Sequence, residues 1–186
     1  MNRPLRTIIE KVRYYEWAYG RLAESDSDIG VLGEYMVGRE LKCLPKGGRR
    51  SQALYDLVTK EGVSIEVKTT TRWKNYPGGR KVRLWDVRDQ LTAFAGKRPL
   101  AQIWIFLVAD FPPDVAKQPS FNAFDLRWWT AYVDSGEHLR SLNPKQSITL
   151  RMLERLKVSA CPLSSLRSRI LDVSKTFAPT KDATND

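Results

Sequence analysis

The chain has 186 residues, enough for one domain with its own core, and its apolar share of 42% is ordinary for a globular protein. Its 31 Lys and Arg against 21 Asp and Glu leave a formal charge of +10, which points to a polyanionic partner, with nucleic acid ahead of an anionic membrane surface. One histidine, His138, and two widely separated cysteines, Cys43 and Cys161, exclude paired-histidine metal chemistry, zinc-finger spacing and a disulfide framework, and fit a reducing cytoplasm.

Helical spacing of Leu5, Ile8, Ile9, Val12, Tyr15 and Tyr19 predicts a helix over 5–22, with those residues as its packing face. Ser25-Asp26-Ser27-Asp28 is a run of N-cap residues, and a second helix is expected from Asp28 to Cys43. Its stripe is Ile29, Leu32, Met36, Val37 and Leu41. Gly30 and Gly33 cost helix stability, about 1 kcal/mol each relative to Ala, and so suggest close approach to a sheet. Glu34 lies to one side of the stripe. The loop from Lys42 to Gln52 holds Lys46-Gly47-Gly48-Arg49-Arg50 but no Gly-Lys-Ser/Thr, so it is not a phosphate-binding Walker loop.

Two strands are expected next, Tyr55–Val58 and Ser64–Thr70, joined by a turn at Lys60-Glu61-Gly62. A Pro-Gly turn then interrupts a basic run, Arg72 to Lys81. Val82–Asp86 reads as a third strand and Val87–Ala95 as a short helix. Gln102–Ala109 is continuously apolar, as a strand buried on both faces should be. A Pro-rich loop follows, then a strand at Trp128–Val133, helices at Leu150–Leu156 and Leu163–Val173, and a polar tail from Thr180. The order predicts a three-strand meander, a helical crossover and a parallel strand: a mixed α/β sheet with helices on both sides. No apolar run reaches membrane-spanning length, and the N-terminus lacks the apolar stretch of a secretory signal, so a cytoplasmic protein without a membrane partner is expected.

The chemistry concentrates in the two central strands. Alternation puts Glu66 and Lys68 on one face of the second strand and Ile65 and Val67 on the other. Asp56, on the preceding strand, can join the first pair. Two acids and a lysine on one sheet face are costly unless a metal ion or an anionic substrate uses them. Glu-x-Lys alone carries little information; the preceding Asp, the helix bearing Glu34 and the flanking basic loops give it weight.

Together Glu34, Asp56 and Glu66-Val67-Lys68 resemble the PD-(D/E)XK nucleases, the restriction-endonuclease-like superfamily, over about 28–110. Gly33-Glu34-Tyr35-Met36-Val37, the Trp128-Trp129 strand and Ser147-Ile148-Thr149-Leu150 look like small bacterial members of that group. Tyr55 stands where the name-giving proline would be. The resemblance implies an αβββαβ core, with 1–24 as an N-terminal helical extension, 25–176 as the nuclease-like domain and 177–186 as a disordered tail. It implies magnesium, with manganese able to substitute, bound by Asp56, Glu66 and the Val67 carbonyl, with Glu34 completing the site. Lys68 would be the catalytic lysine, and the activity a metal-dependent DNA endonuclease. Arg49, Arg50, Thr70, Arg72, Lys74, Arg80 and Lys81 are the candidate phosphate contacts. A homodimer is compatible with cleavage of both strands, and the N-terminal helix is one candidate interface. A DNA-binding protein of the same fold without catalysis, and RNA as the substrate, are the alternatives.

Overall fold

A computed structural model describes residues 9–15, 18, 28–44, 55–71, 74–75, 81–82, 84–85, 101–110, 121–141 and 148–175. Residues 9–15 form helix α1, and Asp28–Leu41 form α2. The strands are β1 (Leu57–Val58), β2 (Ser64–Thr71), β3 (Lys74–Asn75), β4 (Lys81–Val82), β5 (Leu84–Trp85), β6 (Ile103–Ala109), β7 (Trp129–Ser135), β8 (Ile148–Thr149) and β9 (Ala160–Pro162). Helices α3 (Gly136–Ser141), α4 (Leu150–Arg155) and α5 (Leu166–Lys175) complete the described elements.

The main sheet has five strands in the order β1-β2-β6-β7-β9. β2 and β6 run parallel, with Ile65 beside Ile103 and Lys68 beside Phe106; the other pairs are antiparallel. The sheet is therefore mixed, as expected, and the parallel step falls on the continuously apolar strand. Among the described residues the three-strand meander does not form. Lys81–Val82 pair with Lys74–Asn75, and Leu84–Trp85 pair with Ile148–Thr149, in two small ladders outside the main sheet. Short strands carry too little alternation to specify which neighbour they join.

The register divides the sheet into two faces. One carries Ile65, Val67, Ile103, Ile105, Leu107, Ala109, Trp129, Ala131 and Val133, and it packs with Val31, Tyr35, Met36 and Val37 of α2 and with Leu166 and Ile170 of α5. The other carries Trp104, Phe106, Val108 and Tyr132 under Leu139 of α3, Ile148, Leu153 of α4 and Val158. Glu66, Lys68 and Thr70 are in register with Trp104, Phe106 and Val108, so they belong to this second face.

α2 lies very close to β2. A Cβ built on Gly33 would sit 1.9 Å from Oγ1 of Thr69, so only glycine permits this approach. The helix ends at Lys42, whose φ of 57° is left-handed, while the Cys43 amide donates to the Gly38 carbonyl at 2.9 Å. That is the six-to-one bond of a Schellman cap, made here without a glycine.

The N-terminal helix packs through a different face from the one its apolar stripe suggests. Tyr14 and Ala18 are buried, whereas Val12 and Tyr15 are exposed. Tyr14 meets Tyr35 and Phe124 edge-on, at ring separations of 5.4 and 5.6 Å. Arg39 adds an ion pair to Glu10 at 3.1 Å and a contact with the Phe124 carbonyl. These aromatic partners come from distant parts of the chain, and local periodicity could not supply them.

The predicted helix 87–95, the Pro-rich loop and the tail 177–186 lie outside the described residues. Among the described residues no helix is long and apolar enough to cross a membrane.

Candidate active site

The site is built on the β1–β2 hairpin. Thr59 and Val63 close its loop: the Thr59 amide donates to the Val63 carbonyl at 2.9 Å, and the Gly62 amide donates to the Thr59 carbonyl at 3.0 Å. Gly62, with φ of +84°, takes the left-handed position that a three-residue hairpin loop requires. The predicted turn at Lys60-Glu61-Gly62 is therefore present. Glu61 is fully exposed at its tip; its own backbone amide and the Thr59 hydroxyl hold its carboxyl below the usual range.

The ladder pairs Leu57 with Ile65 and Val58 with Ser64. Asp56 is the next residue along that register, on the side of Glu66. The backbone does not continue the ladder there. The Val67 amide donates instead to Oδ2 of Asp56, at 2.8 Å. An acidic side chain thus satisfies a backbone group that the end of the strand would leave without its ladder partner.

Glu66 is 4% exposed, and its Oε1 lies 2.9 Å from Nζ of Lys68. Taking a carboxylate out of water costs several kcal/mol unless it is paired, and Lys68 supplies that pairing from a more open position. The spacing of two residues in a strand produces the contact, as alternation predicts. Asp56, Glu66, Val67 and Lys68 are therefore gathered at one place.

The other predicted residues have different fates. Thr70 shares the face of Lys68 but is packed inside, at 3% exposed, and is not presented to solvent. Glu34 is also buried, on α2, which packs on the opposite face of β2. Among the described residues no three of His, Cys, Asp and Glu form a group that could hold a metal ion, so Glu34, Asp56 and Glu66 are not drawn into one cluster. Arg49, Arg50, Arg72 and Arg80 lie outside the described residues. For Lys74 and Lys81 only the backbone is described, on facing strands of the β3–β4 ladder, where Lys74 pairs with Val82 and Lys81 with Asn75.

A second polar cluster leaves almost no signal in the sequence. The register places Asp134 in the row of Glu66 and Trp104, on the same sheet face. Asp134 is buried, and Nδ1 of His138 lies 2.9 Å from both of its carboxylate oxygens. The same segment caps α3: the Ser135 amide donates to Asp134 at 2.8 Å, and the His138 amide donates to the Ser135 hydroxyl at 2.9 Å. An Asp four residues before a His is the only trace of this in the chain, and such a spacing is common in helix starts. Trp104 stands between Glu66 and Asp134 in this row, and its indole nitrogen is buried without a hydrogen-bond partner.

Two carboxylates and a carbonyl are hard oxygen donors, and magnesium takes one or two protein carboxylates while keeping several waters. Asp56, held on the Val67 amide, and Glu66, held on Lys68, are carboxylates of that kind and number. Comparison with family models, curated proteins and solved structures found no match to this chain.

Proposed function

We propose that this protein is a magnesium-dependent DNA endonuclease of the restriction-endonuclease-like fold. The observation that carries the reading is the hairpin itself. It sets one acid on the Val67 amide and a second acid on Lys68, within one cross-strand step of each other. A formal charge of +10 suits a polyanionic substrate, whose affinity comes largely from phosphate contacts.

Asp56, Glu66 and the Val67 carbonyl are the residues that would hold the metal. Bound there, magnesium or manganese would supply a Lewis acid and lower the pKa of a bound water. Asp56 is oriented by the Val67 amide, which fixes one of its oxygens. Lys68 brings three donors and a positive charge to the mouth of the site, where it orients the attacking water and stabilises charge on the phosphoryl oxygens. Glu66 holds the ammonium in place from below. Backbone contacts by the flanking basic residues would position the duplex without reading its sequence.

A second reading, a DNA-binding protein without catalysis, draws on the burial of Glu66 and on the separation of Glu34 from any three-acid group. A plasmid-nicking assay with and without magnesium decides between them. Lys68→Ala should lower metal-dependent cleavage by at least about 100-fold, the scale of losing one transition-state donor. Binding without cleavage in any divalent metal would favour the second reading, and preferential cleavage of RNA in a parallel assay would redirect the substrate.

A further inference from the structure

Helix α4 sorts its residues by face. At about 100° per residue, Leu150, Leu153 and Leu156 share one side, and Arg151 and Arg155 straddle the line opposite Leu153. Leu153 is buried under the second sheet face with Trp104, Phe106 and Tyr132, and both arginines are exposed. The helix is fixed at each end. The Thr149 hydroxyl accepts from the Met152 amide at 3.2 Å, and the Val158 amide donates to the Leu153 carbonyl at 2.9 Å. The second bond turns the chain through Lys157, at φ of 59°, where glycine is the unstrained choice. Lys157 is exposed as well, so the turn carries a third cation. Among the described residues none of these three cations pairs with an acid, whereas Arg39, Lys68, Arg127 and Lys175 each do. Glu154, on the flank, is the one acid that the helix carries.

Position ties this ridge to the site. β5 lies against β2, β8 pairs with β5, and α4 follows β8 directly. The chain then reaches β9 at the far edge of the sheet. α4 thus leads away from β2 over the face that carries Glu66 and Lys68. We propose that Arg151, Arg155 and Lys157 form a docking ridge for the phosphate backbone of duplex DNA. This rests on the nuclease reading and adds where the substrate lies: beyond the hairpin, along α4. Two guanidiniums one helical turn apart, about 5–6 Å at Cβ, reach neighbouring phosphates of one strand, each as a planar fork. Unpaired charge on a helix fixed at both ends suits a backbone held without base contacts.

Binding is measured in EDTA, so that cleavage plays no part, by fluorescence anisotropy of a labelled DNA duplex across a salt series. Arg151→Gln with Arg155→Gln should weaken binding on the order of 10-fold at about 100 mM salt, and should lower the slope of log K against log salt by about 1.8, the loss of two phosphate contacts. Lys11→Gln with Arg13→Gln removes the same charge from exposed positions of α1, on the α2 side of the sheet, and should leave that slope unchanged. Lys157→Gly should lower the slope by about 0.9 while raising the urea midpoint, because it removes a charge and relieves the left-handed turn. A lysine with only a structural part would give the rise alone. Equal slopes for the α4 and α1 pairs would overturn the ridge and leave the nuclease reading in place. Ridge-dependent binding without cleavage in magnesium would do the reverse. A wild-type chain that binds no duplex would overturn both. Loss of binding to phosphatidylserine vesicles, with DNA binding intact, would assign the ridge to a membrane surface and overturn it as well.

Discussion

The two faces of the five-stranded sheet solve different problems with the same strands. On the face under α2 and α5, β2 contributes Ile65, Val67 and Thr69, and the helix approaches so closely that Gly33 has no space for a Cβ. On the other face the same strand contributes Glu66, Lys68 and Thr70, in rows that continue through Trp104, Phe106 and Val108 to Asp134, Tyr132 and Thr130. The first face is a tightly interlocked apolar layer. The second mixes large aromatics with ionised groups, each held by a specific partner. A strand can serve both because its side chains alternate, so polar chemistry on one side need not disturb close packing on the other.

The largest expected effect breaks the first face. Gly33→Ala forces its new methyl into the Thr69 side chain and should destabilise the fold by about 3 kcal/mol, read from urea unfolding. Thr69→Ala should recover part of that loss in the double variant, because it removes the hydroxyl that the methyl meets first. Additive losses would show that the contact is not what sets the helix position.

On the second face the expected cost is smaller and chemically selective. Asp56→Ala strands the Val67 amide, in a residue that is 5% exposed, and should cost about 1–2 kcal/mol. Asp56→Asn keeps a carbonyl acceptor and should retain most of that stability, while still abolishing metal-dependent cleavage. Equal unfolding midpoints for the two variants would deny the amide bond its structural part.

The smallest effect concerns the apolar layer at high pH. Burial, with a lesser push from Glu61, raises the Cys43 thiol from 9.0 to about 11. The folded state therefore holds the thiol proton more tightly than the unfolded chain does. Stability from this group is complete below about pH 9 and is lost as the pH rises through about 11. Cys43→Ala should flatten the decline of the unfolding midpoint across that interval; an unchanged slope would assign the decline to other groups.

Much of this was legible before the structure. Ile103–Ala109 is apolar at every position, and it proved to be a central strand with neighbours on both sides. The Glu66–Lys68 contact followed from alternation alone. Long-range pairing was less visible. The partners of Val82–Asp86 could not be read from so short a run, and two of its residues, Leu84 and Trp85, went to β8, more than sixty positions away. The packing face of the first helix is not legible in its own periodicity, because the residues that decide the matter, Tyr35 and Phe124, are remote in sequence. His138 was silent for a simpler reason: a lone histidine at a helix start has no local feature that marks a buried carboxylate four residues behind it.

Strand length is normally decided between backbones, by where two chains stop exchanging amide bonds. At Val67 the last exchange is with a side chain, and that side chain is an acid. The end of the β1–β2 ladder is thus written in an exchangeable currency of ligand and charge. A metal held by Asp56 as proposed would compete for the carboxylate that holds Val67, so its binding and the fraying of one sheet edge would be a single linked equilibrium.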